Sequence, residues 1–140
     1  MTRFTPEEIA YLRSQRLGRL ATIDAKGDLH VVPVGFRYDP EHDAIDIGGH
    51  GFATSKKYRD ALAHGRVAFV VDDIVQPGKP RFVEVRGTVQ AETANAADLA
   101  PNVPPAILRI TPTYIVSIGV NDGVVMPSEG RVNYHGRKVD

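Results

Sequence analysis

Arg19-Leu20-Ala21-Thr22-Ile23-Asp24-Ala25-Lys26-Gly27-Asp28-Leu29-His30-Val31-Val32-Pro33-Val34-Gly35-Phe36-Arg37-Tyr38 reads as two strands joined at Lys26-Gly27-Asp28. The first strand alternates with period 2 and stops at a Gly-containing turn, which is a hairpin signal. Downstream, Asp39 to Asp43 turns the chain into a short strand, Ala44 to Ile47. Arg66 to Val71 reads as a fully buried strand, Gln76 to Pro80 as a loop, and Arg81 to Val89 as an alternating strand. Ala91 to Leu99 suits a short helix broken by Pro101, Pro104 and Pro105, and Tyr114 to Ile118 is the last clear strand. Residues 121–140, rich in Gly, Asn and charge, read as a loose C-terminal tail holding at most one short strand. Upstream, Thr5, Pro6 and Glu8 form a capping box with proline at the first helical position, and Phe4 and Ile9 occupy the staple positions. Six strands, mostly hairpin-connected, with two small helices point to a mainly β, antiparallel barrel.

The chain has 140 residues, which suits a single domain, 1–140. Lys+Arg and Asp+Glu number 17 each, so the formal charge is zero and a nucleic-acid partner is not expected. With no cysteine, the chain has no disulfide framework, zinc ribbon or thiolate nucleophile. No apolar stretch reaches the roughly 18–20 residues of a membrane span, so the expected location is the cytoplasm.

The second helix carries the strongest functional signal. Ser55, or Thr54 before it, suits an N-cap, and Lys56 to His64 gives two or three turns closed by Gly65. Lys56 and Lys57 then fall in the first turn, where the helix dipole disfavours cations by about 0.3–1 kcal/mol each. A phosphate offsets that cost, because lysines, a hydroxyl and free N–H groups converge on it. Both lysines read equally well as solvated surface charges. Gly48 and Gly49 either let another group approach the backbone or simply turn the chain. Pro33 marks a bulge, a ligand-facing edge or a plain edge strand.

Other chemistries lack their residues. Among His30, His42, His50, His64 and His135 no pair has helical metal spacing, so no metal site is expected. No G-x-S-x-G, G-x-x-x-x-G-K-[ST] or G-x-G-x-x-G is present. A barrel with one phosphate seat and no nucleophile or metal of its own borrows its chemistry from a cofactor.

Leu17 to Thr22, His30 to Phe36, Ile45 to His50, Ser55 to Asp60 and Val67 to Asp73, with Ile107 to Pro112, resemble the pyridoxamine-phosphate-oxidase-like superfamily of flavin/deazaflavin oxidoreductases. The nearer likeness is to its F420-dependent subgroup, the one with the dehydrotetracycline reductases. The resemblance implies a six-stranded antiparallel split β-barrel of the FMN-binding split-barrel type, with two or three short helices. It also implies a homodimer with the cofactor at the subunit interface and a small-molecule substrate. By the same resemblance Val31, Val32, Pro33 and Val34 lie along the cofactor ring, Gly48 and Gly49 pass close to it, and Ser55, Lys56 and Lys57 bind its phosphate. Arg81 corresponds to a position that assists from the fifth strand. F420 is the implied cofactor, with FMN the alternative, and a non-catalytic flavin or deazaflavin carrier is the competing role. The chain departs from the subgroup in having no tryptophan near Ile118. Neutral residues near Val31 and Phe36 replace the basic pair of the true oxidases, which argues against pyridoxal-phosphate synthesis. No catalytic residue is assigned; His30, His50 and Tyr58 are candidate proton donors, and hydrogen-bonded structural histidines are the commoner case.

Overall fold

A computed structural model describes residues 2–120 and 135–140. Helix α1 (Pro6–Ser14) begins on the expected capping box: Glu8 N–H donates to Thr5 Oγ1 at 3.1 Å, and Thr5 N–H donates to the Glu8 carboxylate at 2.8 Å. The strands are β1 (Leu17–Ile23), β2 (Leu29–Asp39), β3 (Ala44–Ile47), β4 (Arg66–Gln76), β5 (Lys79–Thr93), β6 (Ala106–Ile118) and β7 (His135–Lys138). Helix α2 (Lys56–His64) lies between β3 and β4, capped by Ser55 and ended by Gly65 at φ 85°. Among the described residues no helix is long and apolar enough to cross a membrane.

Sheet order is β3-β2-β1-β4-β5-β6-β7, and β3 also pairs with β6. The extra pairing closes six antiparallel strands into the expected barrel, and β7 extends the sheet beyond β6. Period 2 sorts the side chains. Leu20, Val34, Phe69, Val71, Val83 and Val85 fill the interior, while Ala21, Val31, Ala68, Val70 and Phe82 alternate with them on the outer face.

Several expectations need correction. β4 is not buried on both faces; Val67, Phe69 and Val71 point inward, and Ala68 and Val70 are only partly covered. An apolar run of small residues here reflects an apolar outer surface. The loop expected at Gln76 to Pro80 is a two-residue turn, Pro77-Gly78, because β4 and β5 continue to Gln76 and Lys79 around a register shift. The helix expected over Ala91 to Leu99 is absent: Ala91 to Thr93 pair with Leu108 to Ala106, and a 3₁₀ turn spans only Ala96–Asp98. Sheet pairing there outweighs the helix propensity of alanine.

β6 starts at Ala106 rather than Tyr114. Pro112 is accommodated at a bulge, where Arg86 faces Tyr114, Gly87 faces Pro112, and Thr113 is the additional residue. A Cβ on Gly87 would sit 2.3 Å from the Thr111 carbonyl oxygen, so the bulge requires glycine. Of the tail, the described residues 135–140 hold the short strand β7, and residues 121–134 lie outside the described residues.

β7 also fastens the first helix. Arg137 donates to both oxygens of the fully buried Glu8 at 2.9 and 2.5 Å, and to the Arg3 carbonyl at 2.7 Å. Burial alone would push the Glu8 carboxyl up, but Arg137 and the Thr5 N–H together hold it below the usual glutamate value. The unfolded chain therefore binds this proton more tightly, and the stabilisation is lost as pH falls through the folded value. Glu8→Gln should cost about 3 kcal/mol at neutral pH, by leaving Arg137 without its counter-charge, and should flatten the acid limb of a urea-melt stability profile.

Candidate functional site

Three of the hollows bordering β2 together take in most of the residues singled out from sequence. The first lies at the start of α2. Ser55 Oγ accepts the Tyr58 N–H at 3.3 Å and donates to the Phe52 carbonyl at 2.5 Å, which makes Ser55, not Thr54, the cap. The N–H groups of Lys56 and Lys57 have no partner within the helix. Thr22 of β1 and His30 and Val32 of β2 face them across a space of about 190 Å³.

Its charges are organised. Lys56 Nζ lies 2.5 Å from Asp60, one turn along α2, and 3.6 Å from Asp24. Asp24 Oδ1 accepts the N–H groups of Lys26 and Asp28 at the hairpin turn, at 2.9 and 3.0 Å, and Oδ2 meets His30 Nε2 at 2.7 Å. His30 first, with the Asp28 N–H, holds the Asp24 carboxyl down to about 2. Asp60 first, helped by Asp24, pushes the Lys56 ammonium up, so it stays charged. Lys57 meets no carboxylate among the described residues; its Nζ lies 5.7 Å from the Phe52 ring centre. The penalty expected for two lysines at this helix end is thus already offset at Lys56 by Asp60 and Asp24.

The second hollow is a groove of about 590 Å³ on the outer face of β2, β1, β4 and β5. Ala21, Val31, Ala68, Val70 and Phe82 line it, with the Arg19–Asp72 ion pair at 3.4 Å and Glu84. Val31 is 67% exposed. β2 separates the two spaces: Val31 looks into the groove, Val32 toward α2, and Val34 into the core. β3 pairs with β2 only from Phe36 to Asp39, so among the described residues no strand pairs with that edge of Leu29 to Gly35. Pro33 sits on this edge in regular register with Arg19, without a bulge.

The third hollow, about 280 Å³, takes in Gly35, Arg37, Asp46, Gly48, Asp98 and Ile107. A Cβ on Gly48 would lie 3.0 Å from Ile107 Cγ2, and Gly49 turns the chain at φ 131°. Beneath it Arg109 reaches Asp46 at 2.9 Å and Asp39 at 3.0 Å, all three buried. Burial pushes the Asp46 carboxyl up, whereas Asp39, despite its burial, is held low by His42, whose Nδ1 lies at 2.8 Å. Arg81 sits apart from these hollows; it pairs with Asp73 at 2.6 Å and stacks over Tyr11 at 4.8 Å, joining α1 to the β4–β5 hairpin. His50 is exposed in a turn, and Tyr58 packs edge-on against Phe52.

A scan of family models matches residues 4–117 to pyridoxamine 5′-phosphate oxidase. The chain belongs to the pyridoxamine 5′-phosphate oxidase family. It is 42% identical over 119 residues to the 5a,11a-dehydrotetracycline/5a,11a-dehydrooxytetracycline reductase of Streptomyces rimosus, covering 84% of each chain. The fold is that of an FAD-binding protein from Mycobacterium smegmatis, with TM-score 0.61, 24% identity and coverage of 84% of this chain and 96% of that one. An FAD-binding protein from Mesorhizobium loti is similar, with TM-score 0.60, 19% identity and coverage of 81% and 91%. With the fold secured in this way, Ser55, Lys56, Lys57 and Val32 share one hollow of this family's barrel, Val31 lines the groove, and Gly48 lines the third hollow.

Sequence reasoning missed Asp24, Asp60 and Thr22 at the seat and, Val31 apart, the outer-face residues of the groove. The Lys56–Asp60 spacing of four was a readable signal. Asp24 was not readable, because the fold brings it to Lys56 from 32 positions away. Replacing Arg109 with Met should cost about 3 kcal/mol in urea melts, since it removes the buried counter-charge that Asp46 and Asp39 share and leaves them only Arg37 and His42. The deficit should narrow on acidification, as Asp46 becomes free to take up a proton.

Proposed function

We propose that this oxidoreductase transfers a hydride between reduced deazaflavin F420 and an electron-poor double bond of a small organic substrate. The observation that carries the reading is the meeting of Ser55, Lys56 and Lys57 with Val32 beside an edge of β2 with which no strand pairs among the described residues. The residues fit a phosphate-bearing cofactor: two helical N–H groups and the Lys57 ammonium are available to an anion, and Lys56 is charged beside them. The reductase relative supports reduction as the chemistry, and the FAD-binding neighbours suit an isoalloxazine-like ring. The cofactor, when bound, supplies the hydride.

The chain's own part is to bind, orient and exclude water. Lys56 and Lys57 would hold the phosphate, and the free edge of Val31 to Val34 would offer backbone groups to the ring. Ala21, Val31, Ala68, Val70 and Phe82 give the ring and substrate a low-dielectric wall. Leu17, Leu29 and Val31 are 53, 78 and 67% exposed, and a second copy laid over this face would cover them as a homodimer. An FMN enzyme of the same fold is the second reading, favoured by the flavin-binding neighbours, and the absorbance of the purified protein separates the two.

Lys56→Ala combined with Lys57→Ala should weaken F420 binding by at least about tenfold in fluorescence titration while leaving the melting curve intact, as befits two charge-assisted contacts. Unchanged affinity would remove the phosphate seat. Val70→Arg, which puts a charge on the groove floor, should turn a dimer into a monomer by light scattering and abolish turnover of a model enone with reduced F420. A dimer retained in that variant would defeat the interface.

A further inference from the structure

The seat at α2 has its own counter-charges. Lys56 and Lys57 supply two positive charges, and Asp60 and Asp24 supply two negative ones within reach of Lys56 Nζ. Asp24 cannot swing away: both N–H groups of the hairpin turn and His30 hold its oxygens. The walls therefore cancel before any ligand arrives. An anion entering gains the Lys57 ammonium and the first N–H groups of α2. Asp24 and Asp60 oppose that gain, and their repulsion grows in proportion to the charge the anion carries.

Phosphate esters divide on this point. A diester carries one negative charge at neutral pH, whereas a monoester, with a second pKa near 6, carries close to two. We propose that Asp24, together with Asp60, makes the seat selective for a singly charged phosphodiester over a doubly charged phosphomonoester. Asp24 acts here as a specificity-determining residue through Lys56 and His30, and does not itself touch the ester. The inference rests on the phosphate seat proposed above and adds the ester class it accepts: F420 carries a diester, FMN a monoester.

The test uses probes with one ring and different phosphates: riboflavin, FMN and riboflavin 4′,5′-cyclic phosphate. Each is titrated by flavin fluorescence into the full chain at about pH 8, above the range in which imidazoles and phosphomonoesters titrate. Wild type, Asp24→Asn and Asp60→Asn are compared. Asparagine keeps the oxygen that caps the hairpin turn, and the second variant probes the same charge from a different element. In both variants the Kd for FMN should fall about three- to tenfold, and that for the cyclic diester by about the square root of that factor, as Coulomb attraction scales with ligand charge. Equal shifts for the two esters, or wild type holding FMN more tightly than the cyclic diester, overturn the charge selection and leave the seat standing. Wild-type affinities equal for riboflavin and both esters overturn the seat, and the selection with it.

Discussion

Barrel closure depends on three buried charged residues, Asp39, Asp46 and Arg109. β3 is buried along its whole length between β2 and β6, with Ile45 and Ile47 in the core and Asp46 on the opposite face under the chain around Asp98. A carboxylate in that position is tolerable only if paired. Asp46 lies directly across from Arg109 in the β3–β6 register, so the pairing that closes the sheet also supplies its counter-charge. Asp39, at the end of β2, takes the remaining side of the same guanidinium. Three strands therefore meet on one buried arginine. With the cylinder closed, β2, β1, β4 and β5 hold a fixed outer face, and α2 is held against β1 at the mouth of the seat.

The seat follows similar electrostatic logic in a wetter setting. Lys56 is more than half exposed, yet it is pinned by carboxylates from its own helix and from the first hairpin. Such surface pairs add little to stability. What they fix is position: the ammonium stands at the start of α2 before a ligand arrives, and the loss of side-chain freedom that binding would require is reduced. His30 belongs to the same set through Asp24, which favours a structural, charge-holding role over that of an isolated proton donor.

Signals confined to neighbouring residues were legible. The capping box at Thr5 and Glu8, the Gly65 stop and the hairpin around Gly27 all came from sequence, because each is decided within a few residues. Misreadings arose where a distant partner decides. Ala91 to Thr93 look helical until Ala106 to Leu108 pair with them, and the last strand reads as starting at Tyr114 until Gly87 opens room for Pro112 at a bulge. β4 looked buried throughout because no local rule distinguishes an apolar pocket wall from a core wall. For the seat, the lysines and serine were readable and the opposing carboxylate Asp24 was not. Arg81 and Asp73 form a clamp whose third member, Tyr11, sits on another element.

The strict alternation of inward and outward residues has an evolutionary side. Leu20, Phe69, Val71 and Val83 hold the barrel together, while their immediate chain neighbours Ala21, Ala68, Val70 and Phe82 shape the groove. Drift at the second set leaves the first untouched, so descendants of one ancestral scaffold can exchange the molecules they accept without refounding the interior. Adaptability of this kind is built into the pleat itself.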